Sequence, residues 1–136
     1  YKAKLDVLDR MFYNGLSACK KDIFIHTGHF AFGYLADRYK LKYISAYKGF
    51  SPESEPTPAM IAKIIKTMNQ HGLRYVFYEE LLTPRLADVI SKETGAGLLK
   101  LHAGHNISKE EQERGITFIS IMKQNLENLR IGLQCQ

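Results

Sequence analysis

The chain has 136 residues, with 19 Lys and Arg against 14 Asp and Glu, which gives a formal net charge of +5. Apolar residues make up 45% and charged residues 24%, an ordinary globular composition that excludes a disordered or collagen-like chain. The length fits one domain, and no run approaches the ~18 consecutive apolar residues of a membrane-spanning helix. Two cysteines, Cys19 and Cys135, are too few for a disulfide scaffold, and one bridge or two separate thiols both fit the sequence.

Segments with helical and strand-type spacing alternate along the chain. Apolar residues at three- and four-residue steps predict helices, and short apolar runs predict strands. In chain order the predicted elements are a helix over 2 to about 20, a strand at 23–25, a helix over 30–39, a strand at 42–47, a helix over 58–71, a strand at 75–78, a helix from 83 to about 94, and a strand at 98–101. A last helix carries apolar residues from Ile116 to Leu133.

Two of the predicted helix starts carry capping signals. Thr57 precedes Pro58, which combines a preferred N-cap residue with proline at the first helical position. Ser108 and Glu111 have the spacing of a capping box, in which each side chain binds the backbone N–H of the other residue. The sequence contains no linker long enough to divide the chain into two folded units.

The alternation predicts an α/β fold, with a roughly four-stranded parallel sheet and helices on both faces. Ligands of open parallel sheets bind beyond the carboxyl ends of the strands. We therefore expect functional residues in the loops that follow the strands.

Two of those loops contain nearly the same tetrapeptide. HTGH (26–29) follows the first strand and HAGH (102–105) follows the fourth, so four of the five histidines lie at one edge of the predicted sheet. Imidazole is a favoured zinc ligand, and a glycine lets the backbone turn so that the next side chain faces a ligand. The spacing makes His29 and His105 candidate metal ligands. The alternative is that each histidine caps a strand or binds a backbone carbonyl.

The remaining polar residues at this edge have other candidate roles. His26 and His102 lie at or near strand ends, where they either pack or orient a metal ligand. Glu79 and Glu80 follow the third strand, and carboxylates can complete a zinc shell. His71 lies at a predicted helix end, where the helix dipole accounts for it.

Several function classes lack their signals. The sequence has no Gly-x-Gly-x-x-Gly, no P-loop and no Gly-x-Ser-x-Gly elbow. Its basic residues are scattered and do not form a stripe with stacking aromatics, which argues against a nucleic-acid partner.

Five segments, in order, resemble the solute-binding proteins of bacterial zinc and manganese ABC importers. They are HFAFGYLA (29–36), SPESEPTP (51–58), YVFYEE (75–80), KETGA (92–96) and FISIM (118–122). The resemblance extends over nearly the whole chain. It implies a protein with two α/β lobes that are joined by one long helix and hold a metal ion between them.

The resemblance also implies that this chain is one half of such a protein. Residues 1–22 would be the end of the linking helix, and residues 23–136 the C-terminal metal-binding lobe, without the N-terminal lobe that supplies further ligands. The absence of an initiator Met and of a signal peptide then indicates a truncated chain. The family's location implies an extracytoplasmic protein, either a cell-surface lipoprotein or periplasmic.

The family's histidine before the x-A-F motif corresponds to His29. The last ligand follows the fourth strand, where many members have Glu or Asp and this chain has His105, with His102 or Asn106 as alternatives. Imidazole at both positions favours zinc over manganese.

The implied function is capture of a divalent metal ion and its delivery to an ABC transporter permease, without catalysis. One alternative is a zinc hydrolase that uses His29 and His105 with Glu79 or Glu80 as the base. Another is a surface adhesion domain.

Overall fold

The computed structural model describes residues 1–28, 31–45, 57–79, 85–104 and 107–135. The strands are β1 (Ile23–His26), β2 (Lys42–Ser45), β3 (Tyr75–Tyr78) and β4 (Gly97–Lys100). The helices are α1 (Lys2–Gly15), α2 (Gly33–Arg38), α3 (Pro58–His71), α4 (Arg85–Thr94), α5 (Lys109–Glu113) and α6 (Phe118–Gly132). All strand pairs are parallel, in the order β2-β1-β3-β4, which confirms the predicted α/β fold. Among the described helices, none has the length and apolarity to cross a bilayer.

Local sequence signals determine where several elements begin and end. The Thr57 side chain accepts a hydrogen bond from the N–H of Met60 at 3.2 Å, and Pro58 opens α3 as predicted. The helix ends at Gly72, whose φ of 62° lies in the left-handed region that glycine adopts at little cost. The predicted capping box of Ser108 and Glu111 is present at the start of α5.

The structure corrects two predicted helix boundaries. α1 ends at Gly15, whereas the apolar spacing predicted a helix to about residue 20. The capping box at Ser108 opens a separate short helix, because Gly115 turns the chain with a φ of 70° and a second capping box, of Thr117 and Ser120, starts α6. The sequence analysis did not identify this second box.

Helices cover both faces of the sheet, as predicted. Adjacent residues of a strand point to opposite faces, so Phe24 and Phe77 belong to one core cluster and Ile25 and Val76 to the other. The first cluster includes buried residues of α1, α2 and α6, and the second includes buried residues of α3 and α4.

The first helix is part of the main core. Leu8 and Phe12 of α1 are buried together with Leu126 and Leu129 of α6. Because α1 buries its apolar face against α6, it packs as a component of the same folded unit.

A disulfide joins Cys19 to Cys135 across a sequence separation of 116 residues. Next to the disulfide, the segment after α1 pairs with the segment after α6. Lys20 N–H donates to Gln134 O at 3.2 Å, and Lys21 N–H donates to Leu133 O at 3.0 Å. The bridge therefore ties the C-terminal ends of α1 and α6 together. Of the two alternatives that the sequence allowed, the structure has the bridge.

Loss of this disulfide should destabilise the fold, because the cross-link removes loop-closure entropy from the unfolded chain. We expect the double substitution Cys19→Ser, Cys135→Ser to lower the free energy of unfolding by about 2 to 4 kcal/mol, as measured by urea denaturation. Reductant should destabilise the wild type and leave the double variant unchanged. Equal midpoints for oxidised wild type and double variant would contradict the prediction.

An ion pair attaches α1 to α2. The Arg38 guanidinium donates to both carboxylate oxygens of Asp9, at 2.7 and 3.2 Å, and the Tyr39 hydroxyl donates to the same carboxylate at 2.7 Å. The Tyr39 ring stacks on Phe12, with 5.2 Å between ring centroids. The hydrogen bonds from Arg38 and then Tyr39 lower the pKa of Asp9, and burial together with Asp9 raises the pKa of Tyr39 to about 12.

The lowered pKa of Asp9 predicts a pH-dependent contribution to stability. A carboxyl whose pKa is lower in the folded state stabilises the fold at neutral pH, and this contribution disappears as the pH falls through the lowered pKa. The wild type should therefore have a higher urea midpoint than Asp9→Asn at neutral pH, and the difference should close in acid.

The matched control is Asp37→Asn, which removes the same charge from an exposed position on α2. Its difference from the wild type should be smaller than that of Asp9→Asn. A difference for Asp9→Asn that stays constant down to strongly acidic pH would contradict the prediction.

Candidate metal centre

The carboxyl ends of β1 and β3 form the topological switch point of the sheet. From β1 the chain crosses to β2 on one side, whereas β3 leads on to β4 on the other. Connections that diverge from neighbouring strands leave a crevice at this edge, where open α/β sheets bind their ligands. His26, the last residue of β1, pairs with Phe77, one residue before the end of β3, so Gly28 and Glu79 follow these strands at the switch point.

The turn after β1 is held by hydrogen bonds from several directions. Gly28 N–H donates to Nδ1 of His26 at 3.2 Å, and the Ser45 hydroxyl donates to Gly28 O at 2.9 Å. Thr27 donates to Phe77 O through both its N–H, at 2.8 Å, and its hydroxyl, at 3.1 Å. These contacts fix the backbone up to the residue before His29.

The chain is anchored again just beyond His29. Ala31 N–H donates to the Tyr43 hydroxyl at 3.3 Å, and the Phe32 ring packs edge-on against His26 with 4.8 Å between centroids. Tyr43 itself stacks on Phe24 at 5.0 Å, and burial raises the pKa of its hydroxyl. The predicted ligand therefore lies in a short segment between two anchored points of the backbone.

Gly28 lies in close contact with the half-buried side chain of Glu79. A Cβ atom at position 28 would approach the Cβ atom of Glu79 to 2.6 Å and Cε1 of His26 to 2.7 Å. Only glycine fits this position, because any larger residue would push the loop away from β3. This contact places Glu79 directly beside the turn that leads to His29.

The loop after β4 repeats the hydrogen bond of the loop after β1. Gly104 N–H donates to Nδ1 of His102 at 2.9 Å, and Nε2 of His102 lies 3.3 Å from the Glu111 carboxylate. Gly104 has a φ of 86°, and a Cβ atom there would meet the Phe118 ring at 3.1 Å. The hydrogen bond from Ser108 N–H and then the His102 contact lower the pKa of Glu111. His102 is thus engaged at both ring nitrogens.

Asn125 of α6 contacts this loop, a contact that the sequence analysis did not predict. It is 2% exposed, accepts the His102 N–H at Oδ1 at 2.9 Å and donates from Nδ2 to His102 O at 2.7 Å. Its signal in the sequence is an asparagine on the apolar face of a helix, next to Leu126.

Of the predicted site residues, Glu79 and His102 belong to the part of the chain that the structure describes. His29, His105, Glu80 and the alternative ligand Asn106 lie outside the described residues. Among the residues that it does describe, no three His, Cys, Asp or Glu side chains are grouped as a metal site. Glu79 lies at the switch point, whereas His71 is an exposed residue at the end of α3, as predicted.

An open parallel sheet with this crevice, and with a histidine directly after each of two anchored turns, has the architecture of an α/β domain that binds a small ligand or metal ion at its carboxyl edge. A family model described as "Zinc-uptake complex component A periplasmic" (ZnuA) matches residues 1–132, and the chain belongs to this family. The predicted family resemblance is confirmed.

Individual relatives agree with this assignment. The chain is 39% identical to the "High-affinity zinc uptake system protein ZnuA" of Bacillus subtilis, a match that covers 98% of the chain and 41% of that protein. The crystal structure of the metal-dependent lipoprotein YcdH of Bacillus subtilis matches with a TM-score of 0.79 and 38% identity, over 96% of this chain and 48% of that one.

The Zn(II)-bound ZnuA-like domain of Streptococcus pneumoniae AdcA is also similar, with a TM-score of 0.76 and 33% identity. That match covers 96% of this chain and 48% of the other. The chain thus spans about half, or less, of the length of these relatives.

The close contact at Gly28 predicts a steric effect of one methyl group. Gly28→Ala should lower the free energy of unfolding by about 1 to 3 kcal/mol, the usual cost of overpacking, as measured by urea denaturation. The matched control is Gly15→Ala at the end of α1, where the new Cβ would meet the end of the Leu126 side chain at 3.1 Å and Cδ of Arg130 at 3.5 Å. This control should stay within about 1 kcal/mol of the wild type. Equal effects of the two substitutions would contradict the assigned contact.

Proposed function

We propose that the chain is the metal-binding C-terminal lobe of an extracytoplasmic solute-binding protein that captures zinc for an ABC importer. The observation that carries the proposal is the pair of His-x-Gly turns at one sheet edge, each of which is followed in the sequence by a further histidine. The turns at Gly28 and Gly104 use the same hydrogen bond from the glycine N–H to a buried imidazole. His29 and His105 are therefore the ligands that we assign to this lobe.

The strand order supports a shared ion. β1 and β4 flank β3, and neighbouring strands lie ~4.8 Å apart, so their carboxyl ends are separated by about 10 Å. Two imidazoles that extend from these ends toward each other can reach one ion at Zn–N distances of about 2.0–2.1 Å.

The ligand chemistry supports zinc over manganese. Two imidazole nitrogens suit zinc, whereas manganese prefers carboxylate and carbonyl oxygens. Glu79 lies beside the turn at Gly28, and Glu80 follows it in the sequence; we assign these carboxylates the role of orienting the ligands or completing the shell. Two relatives, a zinc uptake protein and a Zn(II)-bound domain, agree with this choice.

The domain boundaries and partners are part of the same proposal. Residues 1–22 would be the end of a helix that links two lobes, residues 23–136 the C-terminal lobe, and an N-terminal lobe would supply the remaining ligands. The Cys19–Cys135 disulfide is compatible with an oxidising, extracytoplasmic location, as are the words "periplasmic" and "lipoprotein" in the descriptions of the family and of a relative. The importer's permease would receive the ion.

The proposal predicts zinc binding that depends on two named histidines. The 136-residue chain should bind zinc weakly, because one lobe supplies two ligands of a tetrahedral shell. The double substitution His29→Ala, His105→Ala should weaken binding by more than about 100-fold, which exceeds the effect of removing an outer hydrogen-bond partner of a ligand. Isothermal titration calorimetry measures both affinities.

His71→Ala is the matched control, since it removes an exposed imidazole at the end of α3. This variant should bind zinc as the wild type does. Equal zinc affinity of the wild type and the double variant would disprove the assigned site.

A further inference from the structure

Asn125 holds the backbone of His102 with both ends of its amide. The side-chain oxygen accepts the His102 N–H at 2.9 Å, and the side-chain nitrogen donates to His102 O at 2.7 Å. Because both groups of one residue are bound by one amide, the backbone can neither shift along α6 nor rotate without breaking a buried hydrogen bond. An unpaired buried polar group is costly, so this contact is strongly maintained.

The His102 ring extends this restraint toward the end of the loop. Its Nδ1 accepts the Gly104 N–H at 2.9 Å, so we assign the ring proton to Nε2, which lies 3.3 Å from the Glu111 carboxylate. Glu111 also accepts the Ser108 N–H at 3.0 Å within the capping box of α5. The ring is 4% exposed and is held between α5 and its own backbone turn.

We propose that Asn125 and His102 are positioning residues of the zinc site, which set the direction in which the chain presents His105. This inference rests on the proposed function. We call the hydrogen bonds of Asn125 to His102, and of Gly104 to the His102 ring, the loop clamp. The clamp fixes three backbone groups, ending at the residue that precedes His105.

The loop after β1 supports the positioning role of His102, because a glycine N–H there also donates to the histidine two residues earlier, although the surrounding contacts differ. There the Gly28 N–H donates to Nδ1 of His26, and the neighbouring backbone is held by Ser45 and Thr27 in place of an asparagine. The element that the two loops share is the buried imidazole turn directly before the proposed ligand. A shared turn with different surroundings indicates that the turn itself serves the ligand position.

Ligation by His102 would be incompatible with the clamp. A metal ion at Nδ1 would displace the Gly104 N–H, and a metal ion at Nε2 would displace the Glu111 carboxylate. Our proposal therefore gives His102 the positioning role in place of that of the alternative ligand.

Two substitutions of His102 separate positioning from ligation. His102→Leu removes the acceptor for the Gly104 N–H and should weaken zinc binding of the chain about 10- to 100-fold, the usual effect of losing a partner that orients a ligand. His102→Asn should recover most of that loss, because an asparagine oxygen can accept the N–H two residues on. Competition with a chromophoric chelator measures the affinities. Equal losses in both variants would overturn the inference.

Asn125→Ala tests the other half of the clamp and has a matched control. Asn128 lies one turn further along α6, is half-buried, and donates to Lys100 O at 2.7 Å, before the loop begins. Asn125→Ala should weaken zinc binding about 10- to 100-fold, whereas Asn128→Ala should leave it unchanged. The visible spectrum of bound Co²⁺ should change in the first variant alone. Equal affinities of the two variants would overturn the inference.

Two further measurements keep the outcomes distinct. Far-UV circular dichroism establishes that each variant is folded, and if Asn125→Ala is not, the His102 pair decides. His105→Ala, measured beside them, tests the proposed function itself. If that variant binds zinc as the wild type does, the proposed site is wrong and the inference fails with it. If His105→Ala loses affinity while His102→Leu and Asn125→Ala do not, the inference alone is wrong.

Discussion

The four strands of the described residues run parallel, and so the loops that follow them leave the sheet at the same edge. This constraint brings together residues that are more than 70 positions apart in the sequence, since the turn at Gly28 and the turn at Gly104 are separated only by the end of β3. The two core clusters maintain the edge, because α1, α2 and α6 cover one face of the sheet while α3 and α4 cover the other. The loops after β1 and β4 contribute Phe32 and Leu101 to the first of these clusters and also carry the polar residues of the candidate site.

In each of the two His-x-Gly-His segments, the two histidines have different roles, although they are the same residue type. The first histidine of each is buried and accepts the N–H of the glycine two residues on. A neutral imidazole can do this and still donate from its other nitrogen, as His102 does toward Glu111. The two positions require glycine for different reasons. Gly104 adopts a left-handed φ, whereas a side chain at position 28 would collide with Glu79. In the proposed site the second histidine is the ligand and the first directs it.

Much of the fold could be predicted because its signals are local. The cap at Thr57, the stop at Gly72 and the apolar strand runs all act within a few residues. The end of α1 could not be predicted in this way, since the apolar spacing continues past Gly15 to Leu16, whereas the segment that follows pairs with the distant Cys135. The positions of the two His-x-Gly-His segments after predicted strands also identified the sheet edge at which the candidate site lies. They could not identify Asn125, because the partner of that amide is the backbone of a residue 23 positions away.

The proposed ligand set has a consequence for how firmly this lobe holds an ion. Two neutral imidazoles leave both positive charges of zinc uncompensated, whereas two carboxylates would neutralise them. Glu79 is a described carboxylate beside Gly28, and it raises the pKa of Tyr43 after the larger effect of burial. With the proposed ligands alone, binding by this chain would be weak, and tight binding would require further ligands, from Glu79 and Glu80 or from the proposed N-terminal lobe. A carrier that must release its ion benefits from such a divided shell, because separation of the two parts is enough to weaken the site.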